Sequence, residues 1–208
     1  MKAILTARRL HPGHFEAFRQ AWQPERFPPG MVKAYVLRDR NDADQVTAFG
    51  VFDLSEERIA EQRVELAPKE RERDDRMAAH VAETITSGFF DVTWSMEGRA
   101  TGDHGLVPMT ERRLRPGTSG EFRAALKEYV ALIGELPPGL ARAMLFANES
   151  NPDHLIQLGI VRTDDPRGFT ETTRPGRETM LEALSPYIES IGIDTTYDLV
   201  EEVSPVHA

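Results

Sequence analysis

The chain contains no cysteine, which excludes disulfides, thiolate nucleophiles and cysteine-ligated metals. It also lacks any apolar run near the ~20 residues that a membrane-spanning helix needs. Its start, Met1-Lys-Ala-Ile-Leu-Thr-Ala-Arg-Arg, holds too short an apolar stretch for a signal peptide. A cytoplasmic protein with no membrane partner is expected. Basic residues are in deficit, 25 against 34 acidic, for a net charge of −9. Such a chain repels phosphate backbones, so nucleic acid is not an expected partner. There is no Gly-x-Gly-x-x-Gly, P-loop, Gly-x-Ser-x-Gly or His-Glu-x-x-His motif, which removes the nucleotide and common hydrolase readings. The histidines are His11, His14, His80, His104, His154 and His207. No two have i,i+4 spacing, and His11 and His14 straddle a Pro-Gly turn, so no metal is expected.

What is present is a repetition. Thr6-Ala-Arg-Arg-Leu-His-Pro-Gly13 returns as Thr110-Glu-Arg-Arg-Leu-Arg-Pro-Gly117, and Pro28-Pro-Gly30 returns as Pro137-Pro-Gly139. At one further offset Met77, Ile85, Asp91 and Thr93 recur as Met180, Ile188, Asp194 and Thr196. The offsets change only in or beside loops, where length changes are cheap. The order of matches reads as a duplication: repeat 1 over 1–98, a polar glycine-rich linker over 99–105, and repeat 2 over 106–208. With 40% hydrophobic residues, each repeat can build a core.

Within repeat 1 the periodicities predict a strand over 2–10 and a helix over 14–22 with Phe15, Phe18 and Trp22 on one stripe. A hairpin follows over 31–38 and 46–53. Gly50 inside its second strand marks a bulge or a close approach. Ser55 caps a helix carrying Ile59 and Val64, and Pro68 interrupts it. A second helical segment over 69–86 carries Met77, Val81 and Ile85, and Gly88 ends it. Its run Lys69-Glu-Arg-Glu-Arg-Asp-Asp-Arg76 reads as a solvated face. A strand over 89–97 closes the repeat. Repeat 2 runs likewise: a strand over 106–114, then a helix with Thr118 and Glu121 as a capping box and Phe122, Leu126, Tyr129, Val130 and Ile133 as its stripe. Strands over 140–147 and 155–162 precede a helical region with Met180, Leu184 and Ile188, and the last strand covers 195–203. The order strand, helix, strand, strand, helix, strand is the ferredoxin-like arrangement, an α+β fold, written twice.

A ferredoxin-like unit with Arg-Arg-Leu-x-Pro-Gly after its first strand and Pro-Pro-Gly before its second resembles the dimeric α/β-barrel superfamily, in particular its antibiotic-biosynthesis-monooxygenase-like domains. The resemblance covers both halves. It implies antiparallel sheets packed as a pseudo-dimer α/β barrel, here fused in one chain, with further homo-oligomerisation left open. It also implies a small-molecule ligand. Some relatives are cofactor-free oxygenases of polyketide quinols and others degrade haem. The oxygenases place an asparagine near the first strand and a tryptophan at the end of the third. This chain departs from both, with Thr6 and Ala7 or Thr110 and Glu111 at the first place and Phe52 or Val161 at the second.

Candidate site residues follow. His80, whose counterpart is about Ala183, is a candidate acid/base or haem ligand. Tyr35, Phe52 and Trp94 are candidates to line an apolar pocket, with core packing as the plain alternative. Arg8 and Arg9, like Arg112 and Arg113, should point to opposite faces of their strands. A buried member of the pair, Arg8 among them, then either binds a carboxylate or anchors the repeat interface through Asp91 or Asp194. Two functional readings stand side by side. One is a small-molecule-binding, cofactor-independent monooxygenase-like enzyme for an apolar or aromatic substrate, with haem as the alternative cofactor. The other is a non-catalytic protein that sequesters a ligand or serves a structural role. Divergence at His80/Ala183 and Phe52/Val161 points to a pocket in one half.

Overall fold

The computed structural model describes residues 1–23 and 28–204, apart from the side chains at 56, 59–60, 62–67, 69–70 and 133. Ile59, Val64, Ile133 and His207, named above, therefore lie outside the described side chains. The elements are β1 (Lys2–Leu10), α1 (Phe15–Trp22), β2 (Met31–Asp39), β3 (Gln45–Phe52), α2 (Glu56–Ala78), β4 (Val81–Glu97), β5 (Gly105–Leu114), α3 (Ser119–Ile133), β6 (Leu140–Asn148), β7 (His154–Arg162), α4 (Pro166–Leu184) and β8 (Ile188–Val203). The α+β class and the doubled ferredoxin-like order are as expected.

Two elements differ in extent from the expectation, in the same way. Residues 81–86 belong to β4, not to a helix, and Ile188 opens β8. The spacing Met77, Val81, Ile85 is four residues, which suits a helical stripe and one face of a strand equally. The composition decides. Val81, Thr84, Ile85 and Thr86 are β-branched, a side-chain shape that packs well on a pleated surface. This stretch pairs antiparallel with β1, with register shifts between Ala7 and Arg8 and between Arg9 and Leu10. Pro68 does not interrupt α2 but lies inside it, on an exposed face. The expected capping box at α3 is also absent: the Thr118 side chain makes no cap bond to the helix and instead donates to Arg115 O at 2.8 Å.

The chain forms two compact units, Met1–Asp91 with the run from Asp198, and Val92–Tyr197. Unit 1 has strand order β4-β1-β3-β2-β8 and unit 2 has β8-β5-β7-β6-β4, each using only its own part of β4 and β8. In unit 1 one face of the sheet packs on the helices. Leu10, Phe15, Phe18, Val46 and Met77 form that core, with Val200 of β8 against it. In unit 2 the matching core is Leu114, Phe122, Leu126, Leu145, Ala147, Leu155 and Leu184, with Trp94 of β4 against it. Burying each such large apolar side chain is worth about 1.5–3 kcal/mol. The divisions fall inside β4 and β8, at Asp91/Val92 and Tyr197/Asp198, because each of these long strands gives one part to each unit.

The recurring corner has one physical explanation in both copies. Gly13 and Gly117 sit at φ 78° and 79°, a region open to glycine at little cost. Asp44 Oδ1 accepts from Gly13 N at 3.0 Å, and Asp153 Oδ2 accepts from Gly117 N at 2.7 Å. Asp153 Oδ1 also accepts from Ser119 N at 3.2 Å, satisfying a free donor at the start of α3. The pair Asp44/Asp153 thus recurs in the sequence because each carboxylate fastens a strand-to-helix turn.

Candidate functional site

In unit 1 the helix-facing side of the sheet is set by alternation along the strands. The register pairs Ile4 with Gly50, Thr6 with Ala48 and Arg8 with Val46, so these six residues share one face. The face also carries small residues, Ala34, Ala48 and Gly50, which leave space above them among the described residues. A cavity of about 110 Å³ lies there. Phe52, Met31, Trp22 and Met77 supply its apolar wall, and Arg8, Arg73 and Thr6 its polar groups. Gly50 is the close approach anticipated for it, since a Cβ there would come within 3.2 Å of Met31 Cε and the Phe52 ring.

Arg8 points inward while Arg9 is exposed beside Asp42 and Glu83, as the alternation requires. Its guanidinium lies 5.8 Å from the Phe18 ring centroid, within reach of a cation–π attraction. Burial lowers the Arg8 pKa, Asp74 opposes that shift, and Arg73 adds to it. Arg8 stays a cation at any ordinary pH. Asp91 pairs instead with Lys2, at 2.8 Å.

The other candidates lie elsewhere. Tyr35 occupies the opposite face of the same sheet, buried and stacked on Phe49 with ring centroids 4.4 Å apart. Trp94 belongs to the helix-side core of unit 2. His80 stands in the turn after α2, where its Nδ1 is 3.2 Å from His14 Nδ1, and it is not among the residues lining the cavity. The structure therefore brings Arg8 and Phe52 together and separates them from Tyr35, Trp94 and His80. Among the described residues no cluster of three or more His, Asp or Glu could hold a metal. The space of about 110 Å³ is smaller than the roughly 300–1,000 Å³ that drug-sized ligands occupy.

Unit 2 shows what the same place looks like when filled. Arg112 is the counterpart of Arg8, and Gln157 is the counterpart of Ala48, since Thr110 pairs with Gln157 as Thr6 pairs with Ala48. Arg112 Nη1 donates to Gln157 Oε1 at 2.9 Å, and Gln157 Nε2 donates to Met180 Sδ at 3.7 Å. Burial brings the Arg112 pKa down to about 10, with Asp194 opposing and Arg177 adding to the shift. Asp194 itself accepts from Thr110 Oγ1 at 3.0 Å and pairs with Arg177 at 3.2 Å.

A second polar cluster in unit 2 has no counterpart in the first copy. His154 Nε2 lies 2.7 Å from Glu111 Oε1, with both side chains nearly buried. Arg113 Nη2 is 3.6 Å from the same carboxylate oxygen. Repeat 1 holds Ala7 and Gln45 at these places. The sequence signals overlooked were of one kind: polar residues in one copy facing small or neutral ones in the other, namely Ala48/Gln157 and Ala7/Glu111.

No family model matches the chain, and no curated protein sequence matches it. Solved structures do. A "Putative monooxygenase" of Fusobacterium nucleatum superposes with a TM-score of 0.76 at 10% identity, over 98% of this chain and 94% of that one. An anthrone oxidase-like protein gives a TM-score of 0.68 at 13% identity, over 98% and 93%. An uncharacterised ferredoxin-fold protein from Listeria monocytogenes, related to antibiotic biosynthesis monooxygenases, gives 0.52 at 12%, over 97% and 95%. At such identities the likeness concerns the fold. The chain therefore has, along nearly its whole length, the ferredoxin-like α+β fold of the antibiotic-biosynthesis-monooxygenase-like proteins.

Proposed function

We propose that this protein binds a small apolar or aromatic molecule in the cavity of unit 1, with Phe52 as wall and Arg8 as the polar contact, and that it acts on that molecule as a cofactor-independent monooxygenase-like enzyme. The supporting observation is the contrast at Ala48 and Gln157: one copy fills the place beside its arginine with its own side chain, and the other leaves about 110 Å³ there. Ligand sites are concave, mostly apolar and equipped with few polar groups, and this cavity has that character. Its volume limits the ligand. An engineered apolar cavity of roughly 150 Å³ accommodates benzene, so a single ring or a short chain is the upper size without movement of the walls. An arginine beside such a ring stabilises its phenolate or enolate, the electron-rich form that reacts with O2. In the simplest turnover a ring CH2 becomes C=O, one oxygen atom of O2 staying on carbon and the other leaving as water with the two hydrogens.

One observation favours ligand sequestration without turnover as a second reading. Among the described residues lining the cavity there is no histidine or carboxylate to accept a proton. The two readings separate in one experiment. Single-ring phenols and hydroquinones are screened by thermal shift, and those that bind are followed for O2 uptake. Binding with protein-dependent O2 uptake supports the enzyme, and binding without it supports sequestration. If no compound raises the melting temperature and Ala48→Gln leaves the profile unchanged, the cavity is not a ligand site.

A further inference from the structure

We infer that the unit 1 cavity is a carboxylate site: its ligand is a small monocarboxylic acid, held at its carboxylate by Arg8 and Arg73 and at its hydrocarbon part by Met31, Phe52 and Met77. This rests on the reading that the cavity takes a ligand, and it names the ligand's chemistry.

The first observation is the duplicate copy. In unit 2 the Gln157 amide bridges Arg112 and Met180. Unit 1 keeps both ends of that bridge, Arg8 and Met77, and both line the cavity. Only the bridge is missing, because residue 48 is alanine. An oxygen acceptor in the cavity would take the place on Arg8 that Gln157 Oε1 takes on Arg112. A planar acceptor suits the forked geometry of a guanidinium best.

The second observation is Arg73. It comes from α2 into the same cavity, and at the offset that matches Met77 to Met180 its counterpart is Gly176. Unit 2 has a second cation near Arg112 as well, Arg177, but it is paired with Asp194 at 3.2 Å, whereas Arg73 lies among the residues lining the cavity. Arg73 Nε is buried and makes no hydrogen bond among the described residues. A buried donor in that state is a standing cost that a ligand acceptor removes. Asp74 lies 3.8 Å from Arg73 Nη2 with its carboxylate mostly in solvent. The cavity thus offers two guanidinium groups, the Thr6 hydroxyl, which is 3.0 Å from Ser87 Oγ, and apolar walls. Asp74 is the counter-charge both cations already feel, and a monoanionic ligand adds an acceptor inside the cavity that a neutral one does not.

The test uses the full chain, with benzoate and butyrate as probes and benzamide and butyramide as neutral matches of the same shape, measured by calorimetry at constant ionic strength. At least one acid binds ten-fold or more tightly than its amide, Arg73→Gln reduces that preference at least five-fold, and Ala48→Gln removes binding of the acid. Arg8→Gln tests the same contact, and because Arg8 is half-buried, Arg73→Gln decides the matter if that variant does not fold. Equal affinity of acid and amide overturns the carboxylate site and leaves the cavity as a neutral one. An acid preference untouched by Arg73→Gln also overturns it, as assigned. Absence of binding by all four probes overturns this inference alone if the phenols of the preceding screen bind, and both readings if they do not.

Discussion

His154 Nε2 stands 2.7 Å from Glu111 Oε1 on the β5–β7 ladder, both side chains nearly out of reach of water. The bond from His154 holds the Glu111 pKa below its ordinary value. Burial opposes that shift, while the charges of His154 and Arg113 and a backbone bond from Ile193 reinforce it. A carboxyl whose pKa is depressed on folding contributes stability above its unfolded pKa, about 4.3. That stability is lost as pH falls through the lower folded value. Urea midpoints measured from pH 3 to pH 7 should therefore fall at the acid end for the native chain and less steeply for Glu111→Gln. At pH 7, Glu111→Ala should cost about 1–3 kcal/mol, because it removes the acceptor 2.7 Å from the buried His154 Nε2. A parallel acid limb in the two proteins would show that Glu111 does not govern it.

Gln157→Ala should do in unit 2 what Ala48 does in unit 1. It strips the acceptor from a buried Arg112, at about 1–3 kcal/mol, and opens space beside that guanidinium. If the carboxylate site is correctly assigned, this variant binds a second equivalent of the acid probe, more weakly because Arg177, the second cation acting on Arg112, is already paired with Asp194. Calorimetric stoichiometry reads the outcome directly.

Ala48→Gln should stabilise the protein by about 0.5–1.5 kcal/mol, the usual net worth of an added buried hydrogen bond, while removing the ligand. Gain of stability with loss of binding is the signature sought. Loss of both would mean that the glutamine does not fit beneath Met77.

The two corners should differ in sensitivity. Asp153→Ala removes acceptors from Gly117 N and Ser119 N, and Asp44→Ala removes one from Gly13 N. Capping losses run to about 0.5–2 kcal/mol, so the Asp153 variant should melt lower than the Asp44 variant. Gly13→Ala and Gly117→Ala meet no atom within 4 Å, so their cost is that of the left-handed backbone alone, about 1–2 kcal/mol each. Equal melting temperatures for the two aspartate variants would refute the ranking.

How much of this was legible in the sequence depends on which period each stretch obeys. The doubled order of elements was legible because turn residues fixed it: Pro12-Gly13, Pro28-Pro-Gly30 and their copies. The extents of β4 and β8 were not, since four-residue spacing from Met77 to Ile85 satisfies both helix and strand. Alternation implied that one of Arg8 and Arg9 points inward without saying which, and Phe52 was singled out by the resemblance, at the end of the third strand. Tyr35 stands one step of the same alternation away from Ala34, stacked on Phe49. Trp94 could not be placed at all, because a strand's sequence does not say in which core it ends. Arg73 sat in a charge run that reads as solvent-facing, and only its helix neighbour Met77, four residues on, hinted otherwise.

The paths of β4 and β8 set a limit on surgery. Cutting the chain at residue 98 would give two fragments matching the repeats, yet the first would lack Val200 and the second would lack Trp94. Each would be missing a strand from its sheet and a side chain from its core.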